Sequence, residues 1–166
     1  MANDITVEEG DYAVVMRRLF LDHVHFWDRT QGEEPQSPTA GTAVQVSLGL
    51  TRLSASRMIV ALSAANAEDA PYQVSVTYAA EYEALKELPE EELDRVWRHL
   101  AVQIAPGVLY PYLRELITNL TSRSAAYTLN LPLIPLPLGI QEEDLQLPEI
   151  TGDRAEMDLF PDTATG

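Results

Sequence analysis

The chain has 166 residues, no cysteine, and 26 acids against 11 lysines and arginines, for a net charge of −15. That length fits one domain, and the lack of cysteine removes disulfides, thiolate metal sites and thiol nucleophiles. The charge argues against nucleic acid, whose phosphates need a basic face, and no apolar run approaches the ~18 residues of a membrane span.

Met1 to Asp11 carries acids and no base, so it reads as an acidic arm rather than a signal peptide or presequence. The expectation is a cytoplasmic protein whose surplus charge favours basic partners or serves solubility alone. Tyr12 to Trp27 reads as a long strand. Val14, Met16, Phe20, Val24 and Phe26 share one parity and Val15, Leu19, Leu21 and Trp27 the other, so both of its faces should be covered. Residues 28–41 lack periodicity and read as a loop. Thr42 to Thr51 alternates cleanly, with Val44, Val46, Leu48 and Leu50 on one face. Met58 to Ala64 is a third strand. Tyr72 to Tyr82 is a fourth, with Tyr72, Val74, Val76, Tyr78, Ala80 and Tyr82 on one side. Four strands in succession predict an antiparallel meander.

The period changes after Leu88. Pro89 and Glu90, Glu91 and Glu92 suit a helix start, because acids complement the positive end of the helix dipole. Leu93, Val96, Trp97, Leu100 and Ile104 form a helical stripe, Pro106-Gly107 reads as its break, and a second helix runs from Val108 to about Ser124. Pro111 sits in its first turn, where the missing N–H is harmless. Leu131 to Leu138 holds three prolines and reads as an extended crossing segment. A short helix is expected between about Ile140 and Leu147. Strands first and helices second make an α+β domain over residues 1–150. Its four-stranded antiparallel sheet carries helices on one face, and a mobile acidic tail occupies 151–166.

Residues 109–123, Leu-Tyr-Pro-Tyr-x-Arg-Glu-x-Ile-Thr-x-Leu-x-Ser-Arg, together with Leu129-Asn130-Leu131, resemble the main helix and next segment of the SecB protein-export chaperones. Arg18-Leu19-Phe20 and Val24-x-Phe26 look like the family's first strand, and Val44-x-Val46-x-Leu48 like its second. The resemblance implies an ATP-independent holdase for unfolded preproteins, with no cofactor. It implies that Val44, Val46 and Leu48 line a client groove. It further implies a homotetramer built as a dimer of dimers, in which Tyr110, Tyr112, Arg114, Thr118 and Asn119 are candidate subunit contacts. Proteobacterial SecB docks on the motor SecA through acidic side chains. The matching positions hold His23, Trp27 and Ser75, so SecA is a partner only by family, with Asp22, Asp28 and Glu81 nearby. Some SecB-like chaperones instead serve one client, such as an antitoxin.

Other constellations give less. His23 and His25 share a strand face but lack a third metal ligand. His99 reads as a partly exposed helix residue. There is no nucleophile elbow and no phosphate loop, so the chain is not expected to be an enzyme. Asn119-Leu120-Thr121 matches a glycosylation sequon but falls mid-helix. Tyr72, Tyr78 and Tyr82 are either core beneath the helices or an aromatic platform, and Val44, Val46 and Leu48 either groove or core, because periodicity says which residues share a face and not which face is open. A rival reading is a small-ligand domain with a closed pocket.

Overall fold

The computed structural model describes residues 14–28, 43–67, 70–124, 126–133 and 138–151. The acidic arm, the expected loop after the first strand, the centre of the proline run and the acidic tail lie outside them. The elements are β1 (Val14–Asp28), β2 (Val44–Arg52), β3 (Arg57–Asn66), β4 (Tyr72–Ala84), α1 (Glu90–His99) and α2 (Ala105–Thr121). A π-helical segment, Leu100–Ile104, joins the two helices, and a 3-10 turn spans Glu142–Asp144. That turn is all that forms of the short helix expected there.

All pairings are antiparallel, but the strand order is β1-β4-β3-β2 and not a meander. The chain leaves β1 at one edge and re-enters at the opposite edge as β2, a Greek-key arrangement. Clean alternation set β2, β3 and β4 correctly. It could not reveal that β1 pairs with the strand most distant from it in sequence.

β1 carries two register shifts, between Met16 and Arg18 and between Leu21 and His23. Arg17 and Asp22 are the extra residues, and each such bulge flips the parity of the residues after it. Directly opposed residues share a face, so Val14, Met16, Leu19, Leu21, Val24 and Phe26 all lie on the side of Tyr82, Ala80, Tyr78, Val76 and Val74. The parity drawn from the sequence, apolar on both faces, is corrected accordingly: Leu19 and Leu21 belong with Val24, and Phe20 with His23.

One face of the sheet takes the helices. Met58, Val60, Leu62, Tyr72, Val74, Val76, Ala80 and Tyr82 are buried there beneath Trp97, Leu109, Leu113 and Ile117. Tyr72 and Tyr82 are therefore core, while Tyr78 is half-buried against Tyr112 at 5.8 Å. α2 lies across β4 and β3. α1 is fastened at the β2–β3 turn, where Trp97 Nε1 donates to Ala55 O at 3.1 Å and Arg52 meets Asp94 at 3.1 Å.

The expected break at Pro106-Gly107 is displaced. Pro106 lacks the N–H that would reach the carbonyl of Val102, and its ring crowds that carbonyl. The ladder re-registers upstream, where Ala105 N–H bonds Leu100 O, five residues back. Pro106 then sits in the first turn of α2, where it is tolerated. The result is one uninterrupted helical run whose buried residues recur every fourth position: Leu93, Trp97, Ala101, Ala105, Leu109, Leu113, Ile117 and Thr121.

Candidate functional site

β2 is an edge strand. Val44, Val46, Leu48 and Leu50 oppose Asn66, Ala64, Leu62 and Val60, so they lie on the helix-bearing face. They pack on the margin of the core and stay half-buried. Between them Gln45, Ser47 and Gly49 are exposed on the other face.

The backbone of these residues follows from one bond. Ala67 N–H donates to Ala43 O at 3.1 Å, which makes that pair a hydrogen-bonded one. Antiparallel pairs alternate, so Gln45, Ser47, Gly49 and Thr51 also bond to β3. Val44, Val46, Leu48, Leu50 and Arg52 therefore turn their N–H and C=O groups outward. Arg52 confirms the phase, because its carbonyl accepts from Thr151 N–H at 3.0 Å. Val44, Val46, Leu48 and Leu50 thus present apolar side chains on one face and, along the edge, main-chain groups that are unpaired among the described residues. Leu50 belongs with the three expected groove residues, and its place in the alternation was the signal.

α2 holds an extended chain on one flank. Thr118, Arg114 and Tyr110 donate to the carbonyls of Leu129, Leu131 and Pro132 at 3.5, 2.9 and 2.9 Å. From Thr118 to Arg114 the helix rises about 6.0 Å and from Leu129 to Leu131 the extended chain about 6.6 Å, so those two bonds stay in step, while Tyr110 takes the very next carbonyl, that of Pro132. Leu129 N–H closes the ladder on Thr121 Oγ1 at 2.9 Å. Of the five candidate subunit contacts, Tyr110, Arg114 and Thr118 thus face this segment, while Tyr112 and Asn119 are exposed. Burial raises the Tyr110 phenol pKa, and the nearby Arg114 charge offsets part of that rise.

Among the described residues no helix lies on the opposite sheet face. His23, His25 and Trp27 sit there opposite Thr77, Ser75 and Gln73, so the three positions matched to SecA docking share one face. Glu81 is on it too, but it is buried and held by Arg18 Nε at 2.6 Å and Arg57 Nε at 2.8 Å. Among the described residues no group of three or more side chains could hold a metal. No helix among them is long and apolar enough to cross a membrane. His99 pairs with Glu142 at 3.2 Å, and Arg98 Nε donates to Leu145 O at 3.1 Å.

The fold has a counterpart. No family model matches the chain, and no curated protein does. Among solved structures it is similar to the SecB-like chaperone Rv1957 of Mycobacterium tuberculosis, solved with a ChAD peptide from the antitoxin HigA1. The TM-score is 0.53 and the identity 20%, over 73% of this chain and 87% of that one. It is also similar to a protein of unknown function from Streptococcus agalactiae, with a TM-score of 0.36 and 15% identity over 74% and 100% of the two chains. The second likeness carries no argument at that score. The first establishes a SecB-like α+β fold, as the helix motif implied.

Proposed function

We propose that this protein is an ATP-independent chaperone that holds non-native polypeptide along β2. The observation that carries the reading is that Val44, Val46, Leu48 and Leu50 combine half-buried apolar side chains on one face with main-chain groups that, among the described residues, are unpaired along the edge. An extended client adding itself there gains main-chain bonds whatever its sequence. Burying each apolar client side chain contributes roughly 1.5–3 kcal/mol. Ordering the client opposes binding, so several such contacts are needed. The chain's negative charge steers basic segments to it. Likeness in fold to a chaperone that takes a peptide supports this reading.

The partners are non-native polypeptides and further copies of the chain. His23, Trp27 and Ser75 supply no carboxylate, so docking on SecA is not part of the proposal. The test is suppression of aggregation of an unfolding client near one-to-one subunit ratio. Wild type suppresses it, Leu48→Arg loses most of that effect, and Ser47→Arg on the opposite face keeps it. Failure with several unrelated clients ends the general reading. A second reading is favoured by the neighbour's antitoxin peptide: a chaperone dedicated to one client. Pull-down from its host then yields one partner instead of many.

A further inference from the structure

The edge strand β1 carries two imidazoles that the fold does not use. His23 and His25 lie on the sheet face away from the helices, and both are exposed. Neither has a hydrogen bond or ion pair among the described residues. Two residues apart on a strand, they share a face at a spacing of about 6.8 Å. Among the described residues no third ligand stands with them. One chain therefore offers half a site, since a four-coordinate metal ion needs two more donors.

The backbone of β1 shows where the other half can come from. Ala84 N–H donates to Ser56 O at 2.8 Å, and Val74 N–H is turned the same way, onto Asn66 Oδ1 at 2.9 Å. Even-numbered residues of β4 thus bond toward β3, and odd-numbered ones toward β1. His23 and His25 oppose Thr77 and Ser75, so their main-chain groups bond to β4. Val24, between them, turns its N–H and C=O outward, and its side chain is 45% exposed. Phe26, the next outward residue, is already half-buried and packs on Tyr72 at 6.0 Å. On the other side the bulge at Asp22 interrupts the edge. Val24 is thus where exposed apolar surface and outward main-chain groups coincide.

We propose that two copies of the chain pair antiparallel through Val24, and that the four imidazoles so gathered bind a zinc ion. A two-fold axis at Val24 lets it exchange N–H and C=O bonds with Val24 of the second copy. The flanking positions are then non-hydrogen-bonded pairs, the closer kind. His23 faces His25 of the second copy with Cβ atoms about 4.5–5.5 Å apart, and His25 faces His23 of the second copy likewise. Four donors stand on one face in a rectangle of about 5 by 7 Å, and imidazole suits zinc. Each chain carries a net charge of −15, so two copies repel, and a dication held by neutral rings at their junction offsets part of that repulsion. The site does not depend on client binding along β2.

Zinc alone, titrated into the full chain after metal is removed with EDTA, tests it by calorimetry and light scattering. Wild type takes up one zinc per two chains, and the pair withstands at least tenfold greater dilution with zinc than with EDTA. The double variant His23→Ala, His25→Ala changes only exposed side chains, so it keeps its far-ultraviolet spectrum and loses the zinc effect. Val24→Pro keeps both imidazoles and breaks no bond to β4, yet it removes the outward N–H, and it too loses zinc-dependent pairing. One zinc per chain with no change in mass overturns the proposal, as does no zinc uptake at all. Uptake that survives the double histidine variant overturns it by assigning the metal elsewhere, and zinc-dependent pairing that survives Val24→Pro overturns the register. None of these results touches the β2 reading.

Discussion

Glu81 lies on the helix-free face yet is 2% exposed. The guanidiniums of Arg18 and Arg57 cover it from the neighbouring strands, so three strands are pinned through one carboxylate. Its neighbour Glu83 pairs with Arg17 while both side chains remain partly in water. The two pairs are therefore unequal. Glu83→Ala costs about 0–1 kcal/mol, as exposed pairs do, and Glu81→Ala costs about 1.5–3 kcal/mol, the range for hydrogen bonds to charged groups. Urea unfolding of the two variants checks the order. Tyr82 has the opposite problem. Its hydroxyl is buried and has no hydrogen-bond partner among the described residues, and burial pushes its pKa up to about 12 from 10.0. The folded state therefore keeps the proton that the unfolded state loses above pH 10. The contribution is whole below pH 10 and falls by up to about 1.4 kcal/mol per pH unit as pH climbs toward 12. Tyr82→Phe removes both penalties. It raises stability by about 1 kcal/mol at pH 7 and flattens the alkaline loss, which denaturant midpoints at pH 7, 10 and 11 measure.

At the scale of elements, β2 turns its backbone groups alternately toward β3 and outward, and proline separates the two sets. Val46 turns its N–H outward, so Val46→Pro breaks no ladder bond and proline is tolerated on such an edge. Gln45 bonds to Ala65 of β3, and Gln45→Pro removes that bond. The expected outcome is a Val46→Pro protein that keeps its circular dichroism spectrum but binds client at least fivefold more weakly. Gln45→Pro, by contrast, lowers the melting temperature. The face of Val44, Val46 and Leu48 was legible in the sequence because alternation needs only local residues. The open edge was not, because it depends on β1 crossing the sheet. β1 itself was misread because strict alternation was carried through Arg17 and Asp22, the two bulge residues at which the parity flips. The expected helix break was misplaced because Pro106 acts on the carbonyl of Val102, one turn upstream of itself, where the π segment forms. Tyr110, Arg114 and Thr118 carried no readable signal for their partners, which are backbone carbonyls.

The whole molecule has a second open edge. Among the described residues β1 pairs only with β4, and Leu21 and Val24 are 44% and 45% exposed beside it. An edge of this kind invites another chain unless charges or bulges blunt it. Here the second bulge interrupts the edge at Asp22, while apolar residues stand on either side of it. On the proposed reading clients take β2 and β1 is the edge left for a second copy, and a closed two-fold pair would bury these side chains isologously. Tyr112 and Asn119, exposed on α2, would then serve contacts between pairs. Light scattering is expected to return a multiple of the 18.4 kDa chain mass. The double variant Leu21→Lys, Val24→Lys replaces exposed residues, so its far-ultraviolet spectrum stays native while its mass drops to a smaller assembly. A wild-type mass equal to one chain refutes the pairing. It would also leave β1 as a second site of client addition, and the number of clients bound per chain would then exceed one.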